Sequence, residues 1–217
     1  MAPPDLKEYK TKAAFFDTQV DAAWSAGEYQ QEEQEKLERL WQAVGDLQGK
    51  HILEPGCGTG RLTELLSEKA GPDGRVVALD ISSGMIAKAR KRLSSRKNVF
   101  LIEECLENIS EAPDSFDLVI HHQVLPHYLD QALALEISSR LLKPEGQLLV
   151  IHFINSLQIN DIHRKAGTVV ENDRLPEEQD LRTMLADTGF SLLDLNDDAG
   201  GFFLSAKRSK KGNHGQQ

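Results

Sequence analysis

Five short, almost uninterrupted apolar runs alternate along this chain with segments of helical spacing, and that alternation limits the fold more than any other feature. The runs are His51 to Glu54, Arg75 to Asp80, Asn98 to Ile102, Phe116 to His121 and Gly146 to Phe153. Leu62, Leu65 and Leu66 mark one intervening helix, Met85, Ile86, Ala89 and Leu93 a second, and Leu129, Leu133, Ile137 and Leu141 a third. A strand with water on one face alternates apolar and polar side chains, whereas a strand covered on both faces does not. The pattern therefore predicts an α/β fold in which helices cover both faces of a mostly parallel sheet. Phe190 to Leu195 and Gly201 to Ala206, joined by the polar stretch Asn196 to Gly200, read as an antiparallel pair at its edge. Gly71-Pro72-Asp73-Gly74 marks a turn before the second strand, and Lys143-Pro144-Glu145-Gly146 is expected to end a helix just before the fifth.

A length of 217 residues with 40% hydrophobic content fits one domain with a substantial core. Leu37, Leu40, Trp41 and Val44 place an amphipathic helix ahead of the sheet. The net charge of -9 repels phosphate backbones, which argues against a nucleic-acid partner. Cys57 and Cys105 are the only cysteines and lack a CxxC spacing, so neither a disulfide framework nor a thiolate zinc cluster is indicated; small buried filler is their plainer reading. Reduced thiols match a cytoplasmic location. Met1 to Lys12 lacks an apolar signal region and no run approaches the roughly 18 apolar residues of a span, so neither secretion nor membrane insertion is expected.

Glu54-Pro55-Gly56-Cys57-Gly58-Thr59-Gly60 follows a strand and opens a helix, the setting in which a glycine-rich turn carries information. Glycines let backbone approach a ligand closely, and a helix N-terminus presents free N–H groups. The dinucleotide fingerprint requires glycine or alanine at position 61, where this chain has Arg61, so a pyrophosphate fits poorly. A ligand carrying a carboxylate and an amine in place of two phosphates is S-adenosylmethionine, whose amine Glu54 would approach. Asp80 ends the second strand, 20 positions after Gly60, where an acid accepts hydrogen bonds from both ribose hydroxyls. Nicotinamide dinucleotide sites use an acid in the same way, so Asp80 alone does not discriminate.

The blocks ILEPGCGTG from Ile52, VVALDISSGMI from Val76, SFDLVIHHQVLPHYLD from Ser115, RLLKPEGQLLVIHF from Arg140 and LPEEQDLRTMLADTGF from Leu175 occur in an order that resembles the class I S-adenosylmethionine-dependent methyltransferases. The resemblance is to the small-molecule branch that includes ubiquinone and menaquinone methyltransferases, and it spans roughly residues 13 to 206. It implies a Rossmann-like, seven-stranded sheet and methyl transfer to a small-molecule acceptor, with S-adenosylhomocysteine as the product. It further implies that Gly56 and Gly58 contact the methionine part, Asp80 the ribose, and Ile81 and Met85 the adenine faces, while His121 offers its carbonyl to the ammonium. Where relatives carry Gly-Asp-Ala after the third strand this chain has Glu104-Cys105-Leu106, so the adenine edge is met by Glu104 or by backbone of Cys105 and Leu106. The Asn-Pro-Pro-Tyr motif of relatives that methylate amide or exocyclic nitrogens is replaced by His121-His122-Gln123-Val124, which disfavours nucleobase methylation.

Ligands of open α/β sheets sit beyond the carboxyl ends of the strands. His121, His122, His127, His152 and His163 all map near that edge on the acceptor side. His127 and His163 are candidate general bases; a metal held by His127, His152 and His163 is the less favoured alternative, and packing roles remain open for each. By resemblance the helical segment 1–45, with Phe15, Phe16, Trp24 and Tyr29, folds over the cofactor as a lid of the same domain, 46–206 forms the methyltransferase domain, and the basic then polar tail 207–217 is disordered. Two rival readings stand at this point: a catalytically silent module that binds the cofactor or its product, and a nucleotide-dependent oxidoreductase.

Overall fold

The computed structural model describes residues 6–167 and 169–209. Three helices come first: α1 (Leu6–Asp17), the short α2 (Ala23–Ala26) and α3 (Gln31–Val44). Strands and helices then alternate as β1 (His51–Pro55), α4 (Arg61–Ala70), β2 (Arg75–Asp80), α5 (Ser83–Arg92), β3 (Val99–Glu103), β4 (Phe116–His122), α6 (Gln131–Leu141) and β5 (Leu142–His152). The chain closes with α7 (Ser156–Ala166), α8 (Glu178–Asp187), β6 (Phe190–Asp198) and β7 (Gly201–Arg208). The seven strands form one sheet in the order β3-β2-β1-β4-β5-β7-β6. The first five run parallel, and β7 lies antiparallel to both β5 and β6. This is the Rossmann-like α/β architecture expected.

Successive side chains of a strand point to opposite faces, and the sheet uses both. Ile52, Val76, Leu118 and Leu149 join the core beneath α3 and α4 with Leu37, Leu40, Leu62 and Leu66. Their neighbours Leu53, Val77, Val119 and Val150 join the core beneath α6 and α8 with Leu135, Leu141, Leu181 and Leu185. Two cores back to back explain why the strands read as continuous apolar runs. Side-chain caps set several helix starts: Ser82 accepts from the Met85 N–H at α5, Asp130 from Leu133 at α6, and Asn155 with Gln158 forms a capping box at α7.

Two boundaries differ from the sequence expectation. Lys143 to Gly146 lies within β5, not at a helix end: Leu142 already pairs with Phe116, and the ladder resumes at Gln147 opposite Leu118 after a bulge that holds Glu145 at φ 64°. Proline has no N–H to give the ladder, and a bulge accommodates it. The polar stretch Asn196–Asp198 continues β6, so only two residues separate Asp198 from its partner Gly201. Ladder bonds are made by backbone, and the solvent side of an edge strand tolerates polar side chains. β7 extends through Arg208, past the domain boundary drawn at 206, and the rest of the expected tail from 210 on lies outside the described residues. No helix of the described residues is long and apolar enough to cross a membrane.

Candidate active site

A crevice forms where the strand order reverses. β1 lies between β2 and β4, so the connections leaving β1 and β4 diverge to opposite faces and leave a cavity between them. Its empty volume is about 960 Å³ including the mouth. The glycine turn forms the floor. Gly56 (φ 69°), Gly58 (φ 56°) and Gly60 (φ 82°) are left-handed, a conformation that costs other residues about 1–2 kcal/mol. The Cys57 N–H donates to the Leu79 carbonyl at 3.0 Å and ties the turn to β2. A Cβ on Gly56 would lie 2.3 Å from Val124 Cγ2, so that glycine lets the β1 and β4 loops pack together. A Cβ on Gly58 would meet no atom within 4 Å, and Gly58 lines the cavity. Gly56 therefore makes room for protein, and Gly58 for something else.

Asp80 sits opposite. Its Oδ2 accepts the Gly58 N–H and its Oδ1 the Ser82 N–H, both at 2.9 Å, which fixes the carboxylate on the cavity wall. Burial pushes its pKa up to about 6, against the pull of those hydrogen bonds. Ile81 and Met85 continue the wall, with Ser25 Oγ 3.4 Å from Met85 Sδ. Glu104, Cys105 and Leu106 form the far end. Glu104 Oε1 accepts from the Cys105 N–H at 2.9 Å and from Asn108 at 3.1 Å; burial works to raise its pKa, but these bonds prevail and hold it below the usual carboxylate range. Cys105 is a poor thiolate, its pKa pushed up to about 12 by burial. Glu107, which the sequence reading did not single out, also lines this end: Oε1 accepts from the Tyr9 hydroxyl of α1, and Oε2 is buried without a partner among the described residues.

Three expected site residues stand behind the wall. Glu54 is buried and accepts from Thr63 Oγ1 at 2.6 Å; burial raises its pKa to about 8, so it is chiefly a neutral acid at pH 7. His121 is buried between the Tyr128 hydroxyl and Ser138 Oγ, each at 2.9 Å. Ser138 spends its proton on the Ala134 carbonyl at 2.7 Å, so His121 Nε2–H donates to Ser138 and Nδ1 accepts from Tyr128. His163, on α7, donates from Nδ1 to the Asp173 carbonyl at 2.7 Å.

His127 does reach the cavity. It ends a 3-10 turn, Leu125–His127, and its Nδ1 lies 2.7 Å from Asp173 Oδ2. A carboxylate only accepts, so Nδ1 carries the proton and Nε2 presents a lone pair, with no hydrogen-bond partner among the described residues. Lys12 of α1 holds the other oxygen of Asp173 at 2.5 Å, with both side chains nearly buried. Burial pushes the His127 pKa below the usual imidazole range, although Asp173 pulls it upward, so the ring is neutral at pH 7. Phe16 of α1 packs edge-on at 5.0 Å between ring centroids, and His163 lies behind at 4.7 Å. His152 sits apart at the end of β5, buried against Phe202. Among the described residues no three His, Cys, Asp or Glu side chains are grouped to hold a metal ion.

Tyr9 and Phe16 of α1, Trp24 of α2 and Tyr29 from the loop between α2 and α3 line the cavity on its N-terminal side. Asp17 Oδ1 accepts from Ser82 Oγ at 2.5 Å and from the Gly84 N–H at 2.9 Å, which ties α1 to the start of α5. Arg61, the residue that breaks the dinucleotide fingerprint, opens α4 and fastens this cover: it donates to the Trp24 carbonyl at 2.6 Å, pairs with Glu33 at 3.2 Å, and stacks 3.9 Å over the Tyr29 ring.

A seven-stranded sheet whose only antiparallel strand, β7, lies between β5 and β6, with a glycine cradle after β1 that Arg61 removes from the dinucleotide pattern and an acid at the end of β2, is the arrangement of one class, the class I S-adenosylmethionine-dependent methyltransferases. The methyltransferase domain family matches residues 46–189, and the chain belongs to it. It is 32% identical over 186 residues to the ubiquinone/menaquinone biosynthesis C-methyltransferase of Pseudoalteromonas translucida, covering 71% of this chain and 73% of that protein. The demethylmenaquinone methyltransferase of Lactococcus lactis is 37% identical over 123 residues, 54% of this chain and 49% of that one. In fold the chain resembles magnesium protoporphyrin IX methyltransferase from Synechocystis with bound S-adenosylmethionine, at a TM-score of 0.70 and 21% identity over 96% of this chain and all of that one.

Proposed function

We propose that the cavity binds S-adenosylmethionine and that the protein transfers the methyl group to a small, largely apolar acceptor that gives up a proton at the atom methylated. One observation carries this reading. Of the six buried side-chain nitrogen and oxygen atoms without a partner among the described residues, four belong to residues that line this cavity: Tyr29 Oη, Arg61 Nε, Glu107 Oε2 and His122 Nε2. Buried polar atoms are normally paired, so a cavity that collects the exceptions is built around a polar ligand. The space left open at Gly58 and the fixed carboxylate of Asp80 fit the same group.

In this assignment Gly56 and Gly58 border the methionine part, Asp80 accepts the ribose hydroxyls, and Ile81 and Met85 pack on the adenine. Glu104, Cys105 and Leu106 take the adenine edge, and Glu107 offers a second acceptor beside them. Glu54 acts as support, fixing the start of α4 through Thr63, and His121, its ring committed on both sides, has only its carbonyl for the ammonium. The bound sulfonium supplies an activated methyl group with a neutral thioether as leaving group. Protein side chains then have to align the acceptor, exclude water and take a proton. Phe16 and Tyr128 flank His127 with apolar surface, the N-terminal helices act as a lid against water, and Nε2 of His127 receives the proton while Asp173 steadies the imidazolium. The net charge of -9 accords with a cytoplasmic enzyme acting on small molecules and not on nucleic acid.

The names of the relatives make a demethylmenaquinol with a short side chain the first acceptor to assay, beside simple phenols and enolisable ketones. His127→Ala is expected to bind S-adenosylhomocysteine like the wild type in calorimetry while turnover drops roughly a hundredfold or more. Full turnover in that variant with an acceptor the wild type methylates would refute the base assignment.

A further inference from the structure

α1 meets the rest of the protein along a narrow face. Tyr9, Lys12 and Phe16 are spaced three and four residues apart, which places them on one side of the helix. Among the described side chains of α1 only Tyr9 and Lys12 are buried, and each ends on a carboxylate: Tyr9 on Glu107, and Lys12 on Asp173 at 2.5 Å. A buried lysine is a costly anchor, since an apolar side chain of similar length packs a helix without desolvating a charge. The partner of Lys12 is what sets it apart. Asp173, on the loop between α7 and α8, collects three donors: Lys12 on Oδ1, His127 Nδ1 on Oδ2 at 2.7 Å, and His163 Nδ1 on its backbone carbonyl at 2.7 Å. Burial works to raise the Asp173 pKa, but the bonds from His127 and Lys12 prevail and hold it below the usual carboxylate range. A single carboxylate thus serves both the ammonium of α1 and the imidazole that faces the cavity.

We propose that Lys12 is a positioning residue for the reaction: docked on Asp173, it leaves His127 the hydrogen bond of that carboxylate but offsets its charge, so that the base is held neutral by the packing of α1. An imidazole beside a lone carboxylate is drawn toward its charged form, which has no lone pair left to take a proton. With Lys12 in place the carboxylate is already paired, and a proton on His127 gives a buried cluster a net positive charge. Burial is the first influence lowering the His127 pKa; Asp173 raises it, and positive charge on His163 or Lys12 lowers it. The titratable or charged groups that face His127 are Lys12 from α1, Asp173 from the loop before α8, His163 from α7 and, farther off at the end of β5, His152. The coupling is reciprocal: a proton on His127 weakens the hold of Asp173 on Lys12 by as much as Lys12 weakens the hold of His127 on that proton. The proposal rests on the reading of His127 as the base that accepts the proton of the methyl acceptor.

The test titrates the histidine rings of the ligand-free full chain by NMR, with the His127 signal assigned by its loss in His127→Ala. Lys12→Met removes the charge and keeps the length of the side chain, and Lys12→Gln removes the charge but keeps a donor; the second serves where the first does not fold. In both, His127 is expected to titrate at higher pH than in the wild type. The acid limb of kcat/KM for a methylated acceptor is expected to move the same way by about one pH unit, so that turnover lost at neutral pH returns at about pH 8–9. A lysine with only a packing role lowers turnover at every pH and leaves the limb where it was. Lys12→Arg keeps the charge and is expected to titrate with the wild type. An unmoved His127 titration in a folded neutral variant, or a shift in Lys12→Arg as large as in the neutral variants, overturns the proposal. A titration that moves while the rate profile stays in place overturns instead the reading of His127 as the base.

Discussion

Gly58 is where the geometry of the cradle makes its most specific demand. An added Cβ meets no protein atom within 4 Å, so alanine there costs only the backbone term for a left-handed residue at φ 56°, about 1–2 kcal/mol, and valine somewhat more. In a domain of this size that amounts to a fall in Tm of about 2–8 °C, leaving a folded protein at room temperature. The new side chain stands in the cavity beside Asp80, whose Oδ2 is held by the Gly58 N–H. A ligand pushed off this floor loses its contacts to the turn and its alignment with the carboxylate. Losing two hydrogen bonds at about 0.5–1.5 kcal/mol each makes binding roughly five- to a hundredfold weaker. Gly56→Ala is the internal contrast, since its Cβ meets Val124 Cγ2 at 2.3 Å; it should destabilise more, and Val124→Ala should recover part of that loss. Calorimetric titration with S-adenosylhomocysteine, paired with thermal unfolding, separates the two glycines. A folded Gly58→Val that binds within threefold of wild type would show that the turn does not cradle the cofactor.

Two further outcomes follow from the charges. Burial raises the Asp80 pKa to about 6, and in the proposed assignment the carboxylate is the form that accepts both ribose hydroxyls, so affinity for S-adenosylhomocysteine should be full above about pH 7 and fall toward tenfold per unit well below 6. Asp80→Asn should bind more weakly with that pH dependence lost, and an unchanged profile would assign the titration elsewhere. In Asp173→Asn the new amide can donate to His127 Nδ1 and leave the proton on Nε2, so turnover should fall by about 10²–10⁴ with product binding intact. Near-normal turnover in that variant would sink the dyad.

The central sheet was legible because burial on both faces leaves a direct mark in the sequence. Ile52 and Leu53, or Val76 and Val77, go to opposite cores, and each must be apolar. The cradle was legible because Gly56 to Gly60 and Asp80 depend on short-range backbone geometry that only a few residue types allow. The bulge at Lys143–Gly146 and the full length of the last hairpin were not, because ladder hydrogen bonds are made by backbone and leave little trace in side-chain polarity. Nor was α7 read: it carries Leu157, Ile159 and Ile162, but among its described residues only Ile159 is buried, so the helix contributes little to either core.

The histidine edge shows where local pattern ceases to inform. Sequence order places His127, His152 and His163 at the carboxyl ends of neighbouring strands, and two of them do meet, at 4.7 Å between ring centroids. What a histidine can do depends on which ring nitrogen is occupied, and that is settled by partners from elsewhere. For His121 the two partners are Tyr128 and Ser138, and both nitrogens are used within the protein. For His127 the partner is Asp173, held from its other side by Lys12, 161 residues away in the sequence. Nothing in the spacing around Asp173 marks it, because it lies between α7 and α8 and acts only once α1 has docked. The packing of α1 thus sets Phe16 beside His127 and Lys12 on Asp173, and Asp173 in turn fixes the ring whose Nε2 has no partner among the described residues. In the proposed function, the base role of this histidine therefore depends on the packing of α1 as much as on the loop that carries it.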